Sequence, residues 1–245
     1  HRVTLYEASD HLGGRTALCA TAPLTKEFSQ VISWRKEQLE KLQVRLNIGT
    51  RLTPKDLESL KTDIFVLASG SKPASWGLPE GTEASTVQIT DPDQILADPT
   101  YFTGTIIVRD EGGGRTALAA AEALAFGTKR LIVITSDFTV GETIDPVVRS
   151  SIHKYLLKHD VEFRPGETIS RLEGKSVVLL NQFSNKETVI KNVATLVDWR
   201  GRLAQDELVN TLKNTGRPFH VIGDALAPRT VAFAIAEGAR IAEVI

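Results

Sequence analysis

Val66-Leu67-Ala68-Ser69-Gly70 runs from apolar residues into three small ones, and Val221-Ile222-Gly223-Asp224 does much the same near the other end of the chain. Each reads as a buried strand that stops where the backbone passes close to something else, since small residues leave room there. Working outward, short β-rich runs recur at 3–6, 44–48, 64–68, 106–108, 131–135, 161–163, 193–197 and 219–222. Helical patterns lie between them. Thr25 reads as the cap of a helix whose Phe28, Val31, Ile32, Leu39 and Leu42 form an apolar face, and a second helix runs over 145–158 with Pro146 in its first turn. Such alternation belongs to parallel sheets covered by helices. One stretch departs from it: 168–172 and 176–180, joined through Glu173-Gly174-Lys175, read as an antiparallel hairpin. Pro and Gly between Ser69 and Pro79 mark a crossover between domains, and Trp199 to Arg202 mark the return. The strands near Val3, Ile64 and Phe219 are therefore expected in one parallel sheet, with the residues between the crossovers in another.

Composition narrows the function classes. The 245 residues are 42% hydrophobic, with 29 Lys+Arg against 30 Asp+Glu and a net charge of -1. Nucleic acid and anionic membranes call for an excess of Lys and Arg on one face, so neither is expected as a partner. No apolar run approaches the roughly 20 residues of a membrane span. A single cysteine, Cys19, cannot form an internal disulfide, which favours a reducing, cytoplasmic compartment. His1, His11, His153, His159 and His220 show no metal-ligand spacing, and Trp34, Trp76 and Trp199 read as packing anchors. The chain has no methionine and opens with His1-Arg2-Val3 in what reads as the middle of a fold.

Val3-Thr4-Leu5-Tyr6-Glu7 is a strand ending in an acid, followed after a short loop by Gly13-Gly14-Arg15. Glu7 has two readings: a solvated strand-end carboxylate, or one that accepts hydrogen bonds from the ribose hydroxyls of a nucleotide, as the acid ending the second strand of a dinucleotide-binding unit does. Gly13 and Gly14 either form a plain turn or let the backbone approach a ligand. Asp224 stands at a strand end before a helix, where capping and ligand binding are compatible roles.

Four segments, taken in order, carry a resemblance. They are the acid-ended strand with Gly13-Gly14, the Ala68-Ser69-Gly70 strand end, the inserted second βαβ unit, and Gly223-Asp224 followed by Ala227-Pro228 and Ala234-Ile235-Ala236-Glu237-Gly238. Together they resemble the FAD/NAD(P)-binding region of the pyridine-nucleotide-dependent flavoprotein reductases. Among these the chain is most similar to the C-terminal part of the old-yellow-enzyme-like multidomain oxidoreductases, typified by 2,4-dienoyl-CoA reductase, trimethylamine dehydrogenase and histamine dehydrogenase.

The resemblance implies an α/β fold of two Rossmann-like modules with parallel sheets, the second inserted in the first. Residues 1–73 and 203–245 would form an FAD- or ADP-binding domain lacking its first strand and Gly-rich loop, and 74–202 an NAD(P)-binding-like domain. Its cofactor-binding positions would be Glu7, Gly13, Gly14, Arg15, Ala68, Gly70, Gly113, Gly223 and Asp224, with Asp224 on the flavin's ribityl hydroxyls. No catalytic residue is implied. Binding of NAD(P)H stays open, because Asp110-Glu111-Gly112-Gly113-Gly114-Arg115 matches the expected fingerprint only at Gly113. Glu111 in that loop is expected to repel a pyrophosphate, and Ser136 stands where a ribose-binding acid would end the next strand. In the trimethylamine dehydrogenase branch the loop is likewise degenerate. By the same resemblance, FMN and a 4Fe-4S cluster would sit in a preceding barrel, the chain's structural partner, and the whole would be a flavin-dependent oxidoreductase compatible with a homo-oligomer. The rival is a non-catalytic ADP-binding module that supports the barrel.

Overall fold

The computed structural model describes every residue except Trp76, Leu78 and Glu83, so the packing role expected of Trp76 lies outside the described residues. Two compact units emerge: His1–Thr16, Val31–Pro73 and Arg202–Ile245 make the first, Ala17–Gln30 and Ala74–Gly201 the second.

In chain order, β1 (Thr4–Tyr6) is followed by α1 (Gly14–Cys19), α2 (Phe28–Lys41) and β2 (Arg45–Asn47), and β2 pairs parallel with β1. Next comes α3 (Pro54–Ser59), whose start is secured by a reciprocal box: the Asp56 N–H donates to the Thr53 hydroxyl at 3.4 Å, and the Thr53 N–H to Asp56 Oδ2 at 2.7 Å. Then β3 (Phe65–Leu67) and β4 (Ser71–Pro73) lead out of the first unit. The chain returns through β13 (Arg202–Ala204), which pairs antiparallel with β4 so that Arg202 faces Pro73. After α7 (Val209–Asn214), β14 (Phe219–Val221) pairs parallel with β3, and α8 (Val231–Ala242) ends the fold.

Three expectations need correction here. β3 and β14 share a sheet, but β1 forms a separate two-stranded sheet with β2, because no strand among the described residues lies between β1 and β3 to carry the ladder across. Thr25 does not cap α2: its hydroxyl donates to the Cys19 carbonyl at 2.6 Å, tightening a run of turns that ends where α2 starts at Phe28. Nor does α2 bury its apolar residues, and Trp34 is 57% exposed rather than an anchor.

The second unit has a conventional parallel sheet. Its strands are β5 (Gln88–Thr90), β6 (Thr105–Asp110), β7 (Arg130–Thr135), β8 (Glu162–Pro165) and β12 (Val193–Trp199), in the order β5-β12-β6-β7-β8, all parallel. Alternation along these strands divides two cores. Ile106, Val108, Leu131 and Val133 face α5 (Arg115–Leu124) and α6 (Pro146–Lys158), whereas Ile107, Ile132 and Ile134 face an antiparallel sheet of β9 (Glu167–Glu173), β10 (Ser176–Asn181) and β11 (Glu187–Ile190). The expected hairpin is β9–β10, and the helix over 145–158 is α6, capped by Asp145. Trp199 anchors the helical side of the core as expected. In α5 four alanines, Ala117 and Ala119–Ala121, are fully buried, which allows close approach to the sheet.

Residues 17–30 join this unit through Ala22, which is fully buried beside Leu96 and Ala119. Over the start of α5 lies the 136–145 loop, and Gly141 is its contact point. With φ +73°, any Cβ there would meet Leu118 Cδ1 at 2.8 Å and Ile144 Cδ1 at 3.1 Å. Gly141→Ala combines left-handed strain with overpacking and is expected to destabilise the unit by about 2 kcal/mol. A urea titration in which the midpoint is unmoved would contradict that.

Candidate functional site

In the first unit, the carboxyl ends of β3 and β14 carry two of the sequence-selected segments to one place. Parallel pairing sets Leu67 opposite Val221, and the Ile222 N–H donates to the Leu67 carbonyl at 3.0 Å. Ala68, Ser69 and Gly70 therefore leave the sheet beside Gly223 and Asp224. Ser71 closes the link: its hydroxyl donates to Asp224 Oδ2 at 2.7 Å, while the Arg229 N–H donates to Asp224 Oδ1 at 3.1 Å. Asp224 thus pins the loop before α8 rather than capping the helix itself. Crevices outside the carboxyl ends of parallel strands are where α/β folds hold ligands.

Sequence reasoning missed four side chains in this cluster: Ser71, Arg202, Arg229 and Glu237. Arg202 Nε donates to the Ser71 hydroxyl at 2.7 Å and so orients the group that meets Asp224. Glu237, the acid within the small-residue run of α8, accepts from the Gly223 N–H at 2.6 Å and from Arg229. Those two donors hold its carboxyl below the usual range, with the Gly223 amide the larger influence. The lone acid in Ala234-Ile235-Ala236-Glu237-Gly238 was the available signal.

Glu7 lies at the end of β1, where Oε1 accepts from the Ser9 N–H at 2.8 Å and Oε2 takes no hydrogen bond among the described residues. Gly13 follows it with φ +114°, and Gly14 and the half-buried Arg15 open α1. No described atom lies within 4 Å of where a Cβ would sit on Gly14 or Gly70. The space beside both is open.

Gly113, in the second unit, is different. A Cβ on it would meet Asp137 Oδ2 at 3.1 Å, Thr143 Cγ2 at 3.2 Å and the Thr143 nitrogen at 3.3 Å. Its carbonyl accepts from both the Thr143 N–H and the Thr143 hydroxyl, each at 2.9 Å. Here Asp137 and Thr143 fill the space beside the glycine. The reason expected for poor binding also changes. Glu111 does not face the glycine amides; its carboxylate accepts from the Ser136 hydroxyl at 2.8 Å and from that of Thr168 at 3.5 Å. Asp110 takes that place, because alternation along β6 turns it to the same side as Ile106 and Val108, toward α5. It is fully buried, and its Oδ2 accepts from the Gly141 N–H at 3.2 Å.

The residues of the first unit therefore fit an adenine dinucleotide, with glycines facing open space and a carboxylate oxygen of Glu7 without a partner. Those of the second do not. Among the described residues no helix is long and apolar enough to cross a membrane.

The chain is 27% identical to the N,N-dimethylglycine/sarcosine dehydrogenase of Chromohalobacter salexigens over 77% of its length and 28% of that protein. It is 27% identical to a metal reductase of Desulforamulus reducens over 96% of its length and 39% of the relative. The structure of histamine dehydrogenase from Rhizobium sp. 4-9 superposes with a TM-score of 0.86 at 24% identity, covering 99% of this chain and 40% of that one. The chain thus spans between about a quarter and two fifths of the length of these relatives. A family match extends over residues 1–220, taking in the whole second unit and the first unit as far as residue 220, and on that match the chain belongs to the pyridine nucleotide-disulphide oxidoreductases, relatives of the flavin-dependent oxidoreductases.

Proposed function

We propose that the first unit binds the adenine dinucleotide of a flavin-dependent oxidoreductase, FAD or its ADP portion. The protein as a whole would pass electrons between that site and a barrel holding FMN and a 4Fe-4S cluster. The observation that carries the reading is the convergence of Gly70 and Ser71 with Gly223 and Asp224 at the ends of two parallel strands, with open space at Gly70. Asp224, Gly223, Ala68 and Gly70 would line one side of the ligand, and Glu7 with Gly13, Gly14 and Arg15 the ribose and phosphate side. Bound FAD would supply hydride acceptance and one-electron transfer. The chain's own task is to bind and orient it: Ser71 and the Arg229 N–H fix the Asp224 carboxylate, and the Ser9 N–H fixes that of Glu7.

The test compares the whole protein with its Glu7→Ala and Asp224→Ala variants, measuring nucleotide released on denaturation and affinity by calorimetry. Each variant loses a charge-assisted hydrogen bond to the ligand, so binding should weaken by roughly 1.5–3 kcal/mol. Unchanged affinity in both variants, with folding intact by circular dichroism, would remove the first unit from cofactor binding.

A second reading is favoured by one observation, the filling of the Gly113 site by Asp137 and Thr143. On it, the second unit takes no nicotinamide cofactor, and the pair of units serves as an ADP-holding support for the barrel. Stopped-flow mixing of the whole protein with NADH and with NADPH separates the readings. Rapid flavin bleaching by either would exclude the supporting role, and its absence alongside tight ADP binding would favour it.

A further inference from the structure

The second unit retains the framework of a phosphate-binding turn: β6 runs into Gly112-Gly113-Gly114, and the ten-residue α5 follows with no side chain capping its start. An oxyanion would be drawn to such a turn by unpaired amides and by the helix dipole. Asp110 supplies a carboxylate there instead. It is fully buried, Gly141 donates its N–H to Oδ2 at 3.2 Å, and Oδ1 is sealed from solvent without a hydrogen-bond partner. The amides of Gly113 and Gly112 are near enough to favour its charged form, whereas burial and the neighbouring Asp137 oppose it. The same carboxylate holds Gly141, and with it the 141–143 loop whose Thr143 closes over Gly113.

We infer that Asp110 is the residue that excludes a dinucleotide from the second unit, its carboxylate standing in the turn where a pyrophosphate would stand and anchoring the loop that covers it. The inference deepens the reading in which the second unit takes no nicotinamide cofactor, and it assigns that property to one side chain. Removal of the carboxylate should expose the amides of Gly112 and Gly113 to an anionic ligand of pyrophosphate type.

The experiment uses the whole protein and ADP-ribose, which carries a pyrophosphate without a nicotinamide. Wild type, Asp110→Ala, Thr143→Ala and the Asp110→Ala/Thr143→Ala double variant are titrated, and the ligand is located from amide shifts in nitrogen-15 spectra. Asp110→Ala, alone or with Thr143→Ala, should bind at least tenfold more tightly than wild type, with shifts at Gly112 and Gly113. Thr143→Ala alone should gain nothing, because the carboxylate remains. A comparable gain by Thr143→Ala alone would overturn the role of Asp110, as would no gain in either Asp110 variant. Binding by wild type with shifts at Gly112 and Gly113 would instead defeat the underlying reading that the unit is closed. Shifts confined to the first unit would count as binding there and against the inference.

Should the Asp110 variants fail to fold, wild type alone decides through a pH titration of its spectra. Among the described residues, the titratable and charged groups around this carboxylate are Asp137, Glu111 beside it in sequence, Arg149 of α6, which donates to the Gly141 carbonyl at 3.4 Å, and His153, whose Nε2 meets the Val140 carbonyl at 2.8 Å. Gly112, Gly113 and Gly141 amides should move together with one midpoint, distinct from that of the exposed carboxylates. Independent or absent movement would overturn the inference.

Discussion

Glu122→Ala is expected to destabilise the second unit by about 3 kcal/mol, the largest loss anticipated from a single side chain here. Glu122 lies wholly buried within α5. Its carboxylate takes both terminal nitrogens of Arg115, seven residues earlier, with Nη2 at 3.0 Å, and also accepts from the Leu24 N–H at 3.2 Å. Alanine would leave a guanidinium and a backbone donor without their acceptor, and a small void besides. The Arg115 side chain is 24% exposed and recovers some hydration, which places the value at the lower end of what a broken buried pair costs. Glu122→Gln keeps an acceptor for Leu24 and should lose roughly half as much. Urea unfolding monitored in the second unit provides the check, and a loss below about 1 kcal/mol for the alanine variant would show that the pair carries little.

Asp110 should impose a pH dependence of opposite sign to the usual acid unfolding. Burial, the dominant influence, pushes its carboxyl from 3.8 up to about 7. Below the unfolded value, the group is protonated in both states and the folded protein bears no penalty. As pH rises from about 4, the unfolded chain ionises first, and the stability associated with the neutral side chain is lost until the pH passes about 7. A shift of this size corresponds to about 4 kcal/mol over that window. Asp110→Asn, which cannot ionise, should abolish this component, so the difference in stability between wild type and variant should change by a few kcal/mol between pH 4 and pH 8. Parallel stability curves for the two proteins across that range would mean that Asp110 remains ionised throughout.

Much of this is legible in the sequence. The small-residue endings at Ala68-Ser69-Gly70 and Gly223-Asp224 marked two strands that do pair, and the crossovers read near Pro73 and Arg202 are the antiparallel contact of β4 with β13. Local patterns suffice there, since a strand end rich in small residues has few other uses. The separation of β1 from β3 was not legible, because strand neighbours depend on what lies between them in space. Nor was the choice of Asp110 over Glu111. Adjacent acids at a strand end point to opposite faces, and which one turns inward is set by the register with β7 and β12. Glu7 shows another limit: a strand-end acid looks the same in sequence whether it accepts a ribose hydroxyl or, as with Ser9, a nearby amide. Thr25 departs from the expected capping role because its acceptor, the Cys19 carbonyl, lies before it in the chain and not in α2.

The hydrogen bond from the Ala74 N–H to the Gly201 carbonyl, 3.0 Å long, joins the two ends of the long inserted segment, and β4 meets β13 immediately beyond it. This has a consequence for the order of folding. Joining β3 to β14 in an unstructured chain would mean closing a loop of roughly 150 residues, with a loss of chain entropy that grows with the logarithm of its length. Once the inserted segment has folded, its two exits are already neighbours, and only the stretches 68–73 and 202–218 remain to be closed. The saving is between two and three doublings of loop length, roughly 1.5 kcal/mol of closure free energy. The five-stranded sheet should accordingly form first, and the β3–β14 pair with the crevice at its end should assemble in a later phase that is sensitive to the integrity of the insert.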